Sequence, residues 1–164
     1  MKVINIDTQA TDQSKLQKSH TFSKKLFRLT VGGGAVFWVT TIVTSLLPIA
    51  ADYRAAFSNW SIYTVWIASL PMGMIIGCCV SYFLLRFFEK IPARDPILKS
   101  VILSAITLVI AIILIDVPMI LNDPGASLQY FLIGVLFNTV RFLFLGFSIG
   151  YLFKRGKMDV VEND

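Results

Sequence analysis

The chain has 164 residues, of which 55% are hydrophobic and 15% charged, and it carries a formal net charge of +5. Its mean hydropathy is +0.71, and its hydrophobic fraction exceeds the roughly 45–50% of ordinary globular domains. Because the hydrophobic residues are concentrated in four long blocks, the composition excludes an ordinary water-soluble domain.

Each of the four hydrophobic blocks has about 20 residues or more, the length that an α-helix needs to cross a hydrocarbon core ~30 Å thick. The predicted spans cover residues 29–50, 62–88, 97–120 and 128–153. Short connectors join them, so consecutive helices are expected to be antiparallel neighbours. We therefore predict an all-α fold, a four-transmembrane-helix bundle in a single membrane domain over residues 21–158. Residues 1–20 are expected to form a disordered tail, and residues 159–164 the end of a second tail.

Lysine and arginine residues flank the predicted spans unevenly. Six of the 15 precede the first span, four flank the connector between the second and third spans, and three follow the fourth. Arg54 alone lies in a connector on the opposite side, and Arg141 lies inside the fourth span. Positive residues in short flanks collect on the cytoplasmic side of a membrane. We therefore predict a multi-pass protein of the cell (plasma) membrane with both termini in the cytoplasm.

The basic N-terminal tail suggests a partner of its own. A helix that starts at about Phe22 would place Phe22 and Leu26 on one side and Lys24, Lys25 and Arg28 mostly elsewhere, as in an interfacial helix. Basic residues near an anionic leaflet contribute about 1 kcal/mol each. The expected partner is the lipid bilayer, including its anionic lipids. Since membrane topology accounts for the positive charge, no nucleic-acid partner is expected.

Small residues recur every four positions in the second span, and a shorter copy of this pattern occurs in the fourth. We call these six residues the small-residue stripe: Ser69, Gly73, Gly77 and Ser81, followed by Gly146 and Gly150. This spacing places small side chains on one helix face, where another helix backbone can approach closely. The approaching helix is either another span of the same chain or a span of a second copy. Homo-oligomerisation is therefore an open alternative.

Arg141 lies near the middle of the fourth span, surrounded by apolar residues. A cation at the centre of a spanning helix costs on the order of 2.5–3.5 kcal/mol on insertion scales, so it normally has a polar partner. Asp116, near the end of the third span, is the only acidic residue inside a predicted span. Side chains tilt toward the N terminus of their own helix, which brings these two together from antiparallel helices, with Asn138 between them in depth. We predict a polar chain of Asp116, Asn138 and Arg141.

This polar chain has two functional interpretations. As an internal clamp, it fixes the register of the third and fourth spans in a packing, accessory or complex-forming membrane protein. As part of an ion, proton or anionic-substrate path, it belongs to a small oligomeric transporter or channel.

Residues suited to catalysis or metal binding are sparse. The single histidine, His20, lies in the tail, and the two cysteines, Cys78 and Cys79, are adjacent within one span. This arrangement has no zinc-ligand spacing, and the sequence contains no P-loop and no nucleophile placed beside a base. We therefore expect no enzyme activity, no catalytic or metal site and no cofactor.

Overall fold

The computed structural model describes residues 6–57, 61–122 and 128–161, and all regular secondary structure in these ranges is helical. The elements are α1 (Ile6–Ser45), α2 (Pro48–Phe57), α3 (Ile62–Phe87), α4 (Pro96–Ala111), a π-helical turn (Ile112–Asp116), α5 (Val117–Asn122) and α6 (Leu128–Val161). Within these ranges, four helical segments are long and apolar enough to cross a membrane: Ser19–Ser45, Ile62–Phe87, Pro96–Leu114 and Leu128–Gly156. The prediction of an all-α chain with four helices of membrane-spanning length is confirmed.

The long helices form one bundle in which α1 packs mainly on α3, α4 packs mainly on α6, and α1 joins the two pairs through α6. Its core contains Leu29 of α1, Val80 and Leu84 of α3, and Leu145 and Ile149 of α6, all buried. The start of α1 and the end of α6 lie at the same end of the bundle, which we call the terminal end. The opposite end carries α2, and we call it the α2 end.

The first spanning helix ends at Ser45, earlier than the predicted boundary at residue 50. Pro48 explains the difference, because its ring clashes with the carbonyl group four residues earlier and its nitrogen has no hydrogen to donate. The residue before a proline is also driven away from helical backbone angles. The chain therefore turns at Leu46 and Leu47, and Pro48 begins the short helix α2.

The two terminal helices extend further than predicted. Helix α1 begins at Ile6, inside the segment that was expected to be disordered, and α6 continues to Val161 rather than residue 153. The first 31 residues contain neither glycine nor proline, so a helix nucleated in the apolar part can propagate toward the N terminus. At ~1.5 Å per residue, α1 is about 60 Å long and exceeds the hydrocarbon core. Residues 1–5 and 162–164 of the predicted tails lie outside the described residues.

The third span contains a π-helical turn, which the sequence analysis did not predict. The turn covers Ile112–Asp116, and the backbone N–H of Val117 donates to the carbonyl of Ile112. Pro118 comes two residues after the turn. A proline in a helix removes one hydrogen-bond donor and pushes away the carbonyl of the preceding turn. A wider turn accommodates that disruption, and π-turns of this kind occur often at functional sites. Asp116 is the last residue of the turn.

Candidate intramembrane polar site

The structure brings the three residues of the predicted polar chain together near the α2 end. Asn138 lies between the two charged residues and contacts both of them. Its amide nitrogen donates to Asp116 Oδ2 over 3.2 Å, and its amide oxygen accepts from Arg141 Nη1 over 3.4 Å. The opposite charges of these described side chains are therefore linked through an amide group rather than by a direct ion pair.

Thr44, which the sequence analysis did not select, supplies the second contact of Arg141. Its hydroxyl oxygen accepts from Arg141 Nη2 at 3.2 Å and from Nε at 3.4 Å. The same hydroxyl donates to the carbonyl of Thr41 over 3.1 Å. Thr44 lies in the last turn of α1, where the helix dipole places partial negative charge that favours a nearby cation. The polar site thus consists of Thr44, Asp116, Asn138 and Arg141 and joins three helical segments.

Tyr53 of α2 covers this site at the α2 end. Its ring packs edge-on against Phe137, with ring centroids 6.4 Å apart. Its hydroxyl oxygen lies only 2.7 Å from where a Cβ atom on Gly134 would stand, so a larger residue at position 134 would displace the phenol. Burial raises the pKa of the Tyr53 phenol, the Asp116 carboxylate raises it further, and Arg141 lowers it. The phenol is therefore neutral at physiological pH.

Arg54 of α2, the basic residue that the sequence analysis placed opposite the other basic flanks, caps the end of a helix in the structure. Its Nη1 atom donates to the carbonyl of Ser45 over 3.0 Å, and Ser45 is the last residue of α1. The indole nitrogen of Trp66 donates to the Ser45 hydroxyl over 2.7 Å. Because the last carbonyls of a helix have no partners within it, Arg54 stabilises the end of α1.

Lys99 is a second basic residue whose contacts could not be predicted from the sequence. It is buried near the start of α4, where its Nζ atom donates to the carbonyl of Phe88. The same atom lies 3.9 Å from the centroid of the Phe88 ring, within the range of a cation–π interaction. Lys99 therefore stabilises the C-terminal end of α3 in addition to any effect of its charge on topology.

The small-residue stripe is used for packing within the chain. Cβ atoms added to Gly73 and Gly77 would lie 3.1 Å from the carbonyl oxygens of Gly34 and Thr30, so α3 and α1 approach each other closely. Gly146 and Gly150 pack in the same way against α4. This face is covered by the chain itself, so a homo-oligomer would need a different surface.

The two serines of the stripe differ from each other in their surroundings. Ser81 is fully buried, and its hydroxyl has no hydrogen-bond partner in the described part of the chain. Ser69 is only partly buried and donates to the carbonyl of Trp66 over 2.9 Å. The close approach of α3 and α1 is therefore made at the glycines. Ser81, the next residue of the stripe in α3, is buried as well.

Replacing Gly77 with leucine is expected to destabilise the bundle, because the added side chain meets α1 backbone atoms that cannot rotate away. The expected cost is about 1–3 kcal/mol, as for other overpacked sites. Unfolding of the purified chain in mixed detergent measures this loss of stability. The matched control is Ile75→Leu in the same helix, at an exposed position. An unchanged midpoint for Gly77→Leu would contradict the close packing of α1 and α3.

Together these features define a class of protein: an all-helical bundle with four helices long and apolar enough to cross a membrane, with a polar site near one end. The described residues contain no group of three or more side chains suited to hold a metal ion. Comparisons with protein-family models, with curated proteins and with solved structures give no match to this chain. The function must therefore be inferred from the residues of the bundle itself.

Proposed function

We propose that this chain is a multi-pass protein of the plasma membrane, with both termini in the cytoplasm, that serves as a packing or accessory subunit of a membrane complex. The observation that supports this most directly is the arrangement of the polar site. Arg141 donates to Thr44 and Asn138, and Asn138 donates to Asp116. These polar groups bond to one another across three helical segments, as in an internal clamp.

The interior of the bundle toward the terminal end also supports a clamp. Phe142, Leu145 and Ile149 of α6 follow Arg141 toward that end, and all three are buried in the same apolar cluster as Val80 and Leu84 of α3. An apolar core packed in this way keeps out water. An ion path that begins at Arg141 would have to cross this cluster.

The alternative is a small oligomeric transporter or channel that uses Asp116, Asn138 and Arg141. One observation favours it. Four hydroxyl groups are buried without a hydrogen-bond partner in the described part of the chain, those of Thr30, Ser81, Ser100 and Ser104. Buried polar groups of this kind are usually bonded to ordered water. These hydroxyls give the bundle some polar interior outside the clamp.

Flux measurements distinguish the two functions. The purified chain is reconstituted into vesicles that contain a pH-sensitive dye, with and without a potassium gradient. The accessory function predicts a proton and potassium leak equal to that of a double variant, Asp116→Asn with Arg141→Gln, which removes both charges but keeps polar side chains. Wild-type flux that the double variant abolishes would establish the transporter instead.

The topology is tested by cysteine labelling from outside intact cells. The native cysteines, Cys78 and Cys79, are exposed on α3 and are first replaced with alanine. A membrane-impermeant maleimide is then expected to label Ala55→Cys and to leave Lys24→Cys and Arg94→Cys unlabelled until the cells are opened. Labelling of position 94 in intact cells would overturn the orientation.

Anionic lipid is the proposed partner at the terminal end. Lys24, Lys25 and Arg28 of α1 are exposed there, as are Lys154 and Arg155 of α6. The two helices meet at this level, since Arg28 Nη1 lies 4.0 Å from the position of a Cβ atom on Gly156. Basic side chains gathered at one level of a membrane protein attract acidic headgroups.

A further inference from the structure

We propose that Asp116 binds a transmembrane helix of another protein that carries a lysine or arginine side chain at the same depth. This inference rests on the proposed accessory function and names the chemistry of the partner. It follows from the second carboxylate oxygen of Asp116, which makes no hydrogen bond within the clamp, and from the surface beside it.

The clamp engages only one oxygen of Asp116. Oδ2 accepts from Asn138, whereas Oδ1 has no hydrogen bond to any residue that the structure describes. The side chain is only partly buried. Ile113 and Leu114, in the same π-helical turn, are 58% and 69% exposed. The carboxylate is therefore partly accessible and adjoins an apolar outer surface of the bundle.

A carboxylate at such a surface is costly inside a membrane unless an opposite charge or a hydrogen-bond donor meets it. Arg141 does not fill this role directly, because the amide group of Asn138 lies between the two side chains. The Oδ1 atom is therefore an acceptor that the described residues leave available beside this face. A basic side chain from a neighbouring helix supplies both the charge and the donors.

The surface beside Asp116 has the residue spacing of a helix-docking face. The segment Pro96–Leu114 is the least buried of the four spanning segments. Its exposed large residues include four that recur at positions i, i+3, i+4 and i+7 and therefore form one apolar stripe: Ile106, Val109, Ile110 and Ile113. This is the spacing at which one helix lies along another. Asp116 adjoins the end of the stripe nearest the α2 end.

A second copy of the chain is the less suitable occupant, because its described cations are committed or distant. Arg141 is bonded to Thr44 and Asn138, and Arg54 is bonded to the Ser45 carbonyl. The other basic side chains described lie at or near the terminal end, away from Asp116. Charge complementarity therefore favours a different protein.

Fluorescence energy transfer in lipid vesicles tests the proposal. The full chain carries the donor, and a synthetic polyleucine transmembrane peptide carries the acceptor and one lysine at one of three depths. The control peptide has methionine in place of lysine. At the matching depth, the lysine peptide is expected to associate about tenfold more tightly than the methionine peptide, as for other hydrogen bonds between membrane helices.

The variant Asp116→Asn should remove this preference, because it keeps an oxygen for Asn138 but loses the charge. Asp52→Asn, which alters an exposed carboxylate in α2, should retain it. Equal association of both peptides at every depth would overturn the proposal, as would self-association of the chain that depends on Asp116. Either result leaves the flux outcome unchanged, so a failure here is distinguishable from a failure of the accessory function.

Discussion

Replacing Asn138 with leucine is expected to lower the free energy of unfolding by about 3 kcal/mol, the largest effect that we predict for a single polar residue. Leucine is similar in volume but can neither donate to Asp116 nor accept from Arg141. Two charged groups would each lose a hydrogen bond within the bundle, and hydrogen bonds to charged groups contribute about 1.5–3 kcal/mol each. Unfolding of the purified chain in mixed detergent, followed by circular dichroism, measures the loss.

The neighbouring variant Thr139→Val is the matched control. Its hydroxyl donates only to the carbonyl of Val135 in the same helix, over 2.7 Å, so its removal should change stability little. A second comparison uses the double variant Asp116→Asn with Arg141→Gln. In that background Asn138→Leu should cost clearly less, and this non-additivity would show that the amide acts through the two charges. An equal cost in both backgrounds would contradict the clamp.

Replacing Gly150 with alanine is expected to be the most damaging change of one methyl group in the chain. The added Cβ atom would lie 2.6 Å from Ile97 Cα and 3.2 Å from the carbonyl oxygen of Pro96. Both are backbone atoms at the start of α4, so the helices must move apart to relieve the contact. We expect a loss of about 1–3 kcal/mol in the free energy of unfolding, measured by the same detergent titration.

Gly156→Ala is the control in the same helix. The nearest atom to a Cβ at that position is Arg28 Nη1, at 4.0 Å, so the methyl group meets no obstacle. Alanine also favours a helix over glycine by up to about 1 kcal/mol, and this variant should be as stable as the wild type or slightly more so. Similar losses for both variants would indicate that α4 and α6 are not in close contact at Gly150.

The Asn138→Leu variant separates structure from conduction when it is combined with the flux measurement. A clamp makes stability and assembly depend on Asn138, while vesicle leakage stays at the background level in every variant. A conducting site would lose flux with Asn138→Leu even under conditions that keep the variant folded. The polar site is thus testable without knowledge of the partner.

The sequence by itself determined the helical class and the four helices of membrane-spanning length, because spanning depends on hydropathy and length, which are local properties. It also pointed to Arg141, Asn138 and Asp116, since a cation within an apolar helix needs a polar partner and few were available. The glycine spacing indicated close helix contacts for a similar reason. A repeat of four residues places small side chains on one face of a helix, whichever helix packs against that face.

Only the tertiary structure decided which atoms meet. Thr44 reaches Arg141 because α1 packs against α6 and its last turn lies level with that arginine. The π-turn before Pro118 sets the position of Asp116 relative to Asn138, so that an amide group separates the charges. Arg54 and Lys99 cap helix ends that no sequence spacing connects to them. Contacts of this kind depend on how helices cross and end, and hydropathy carries no information about either.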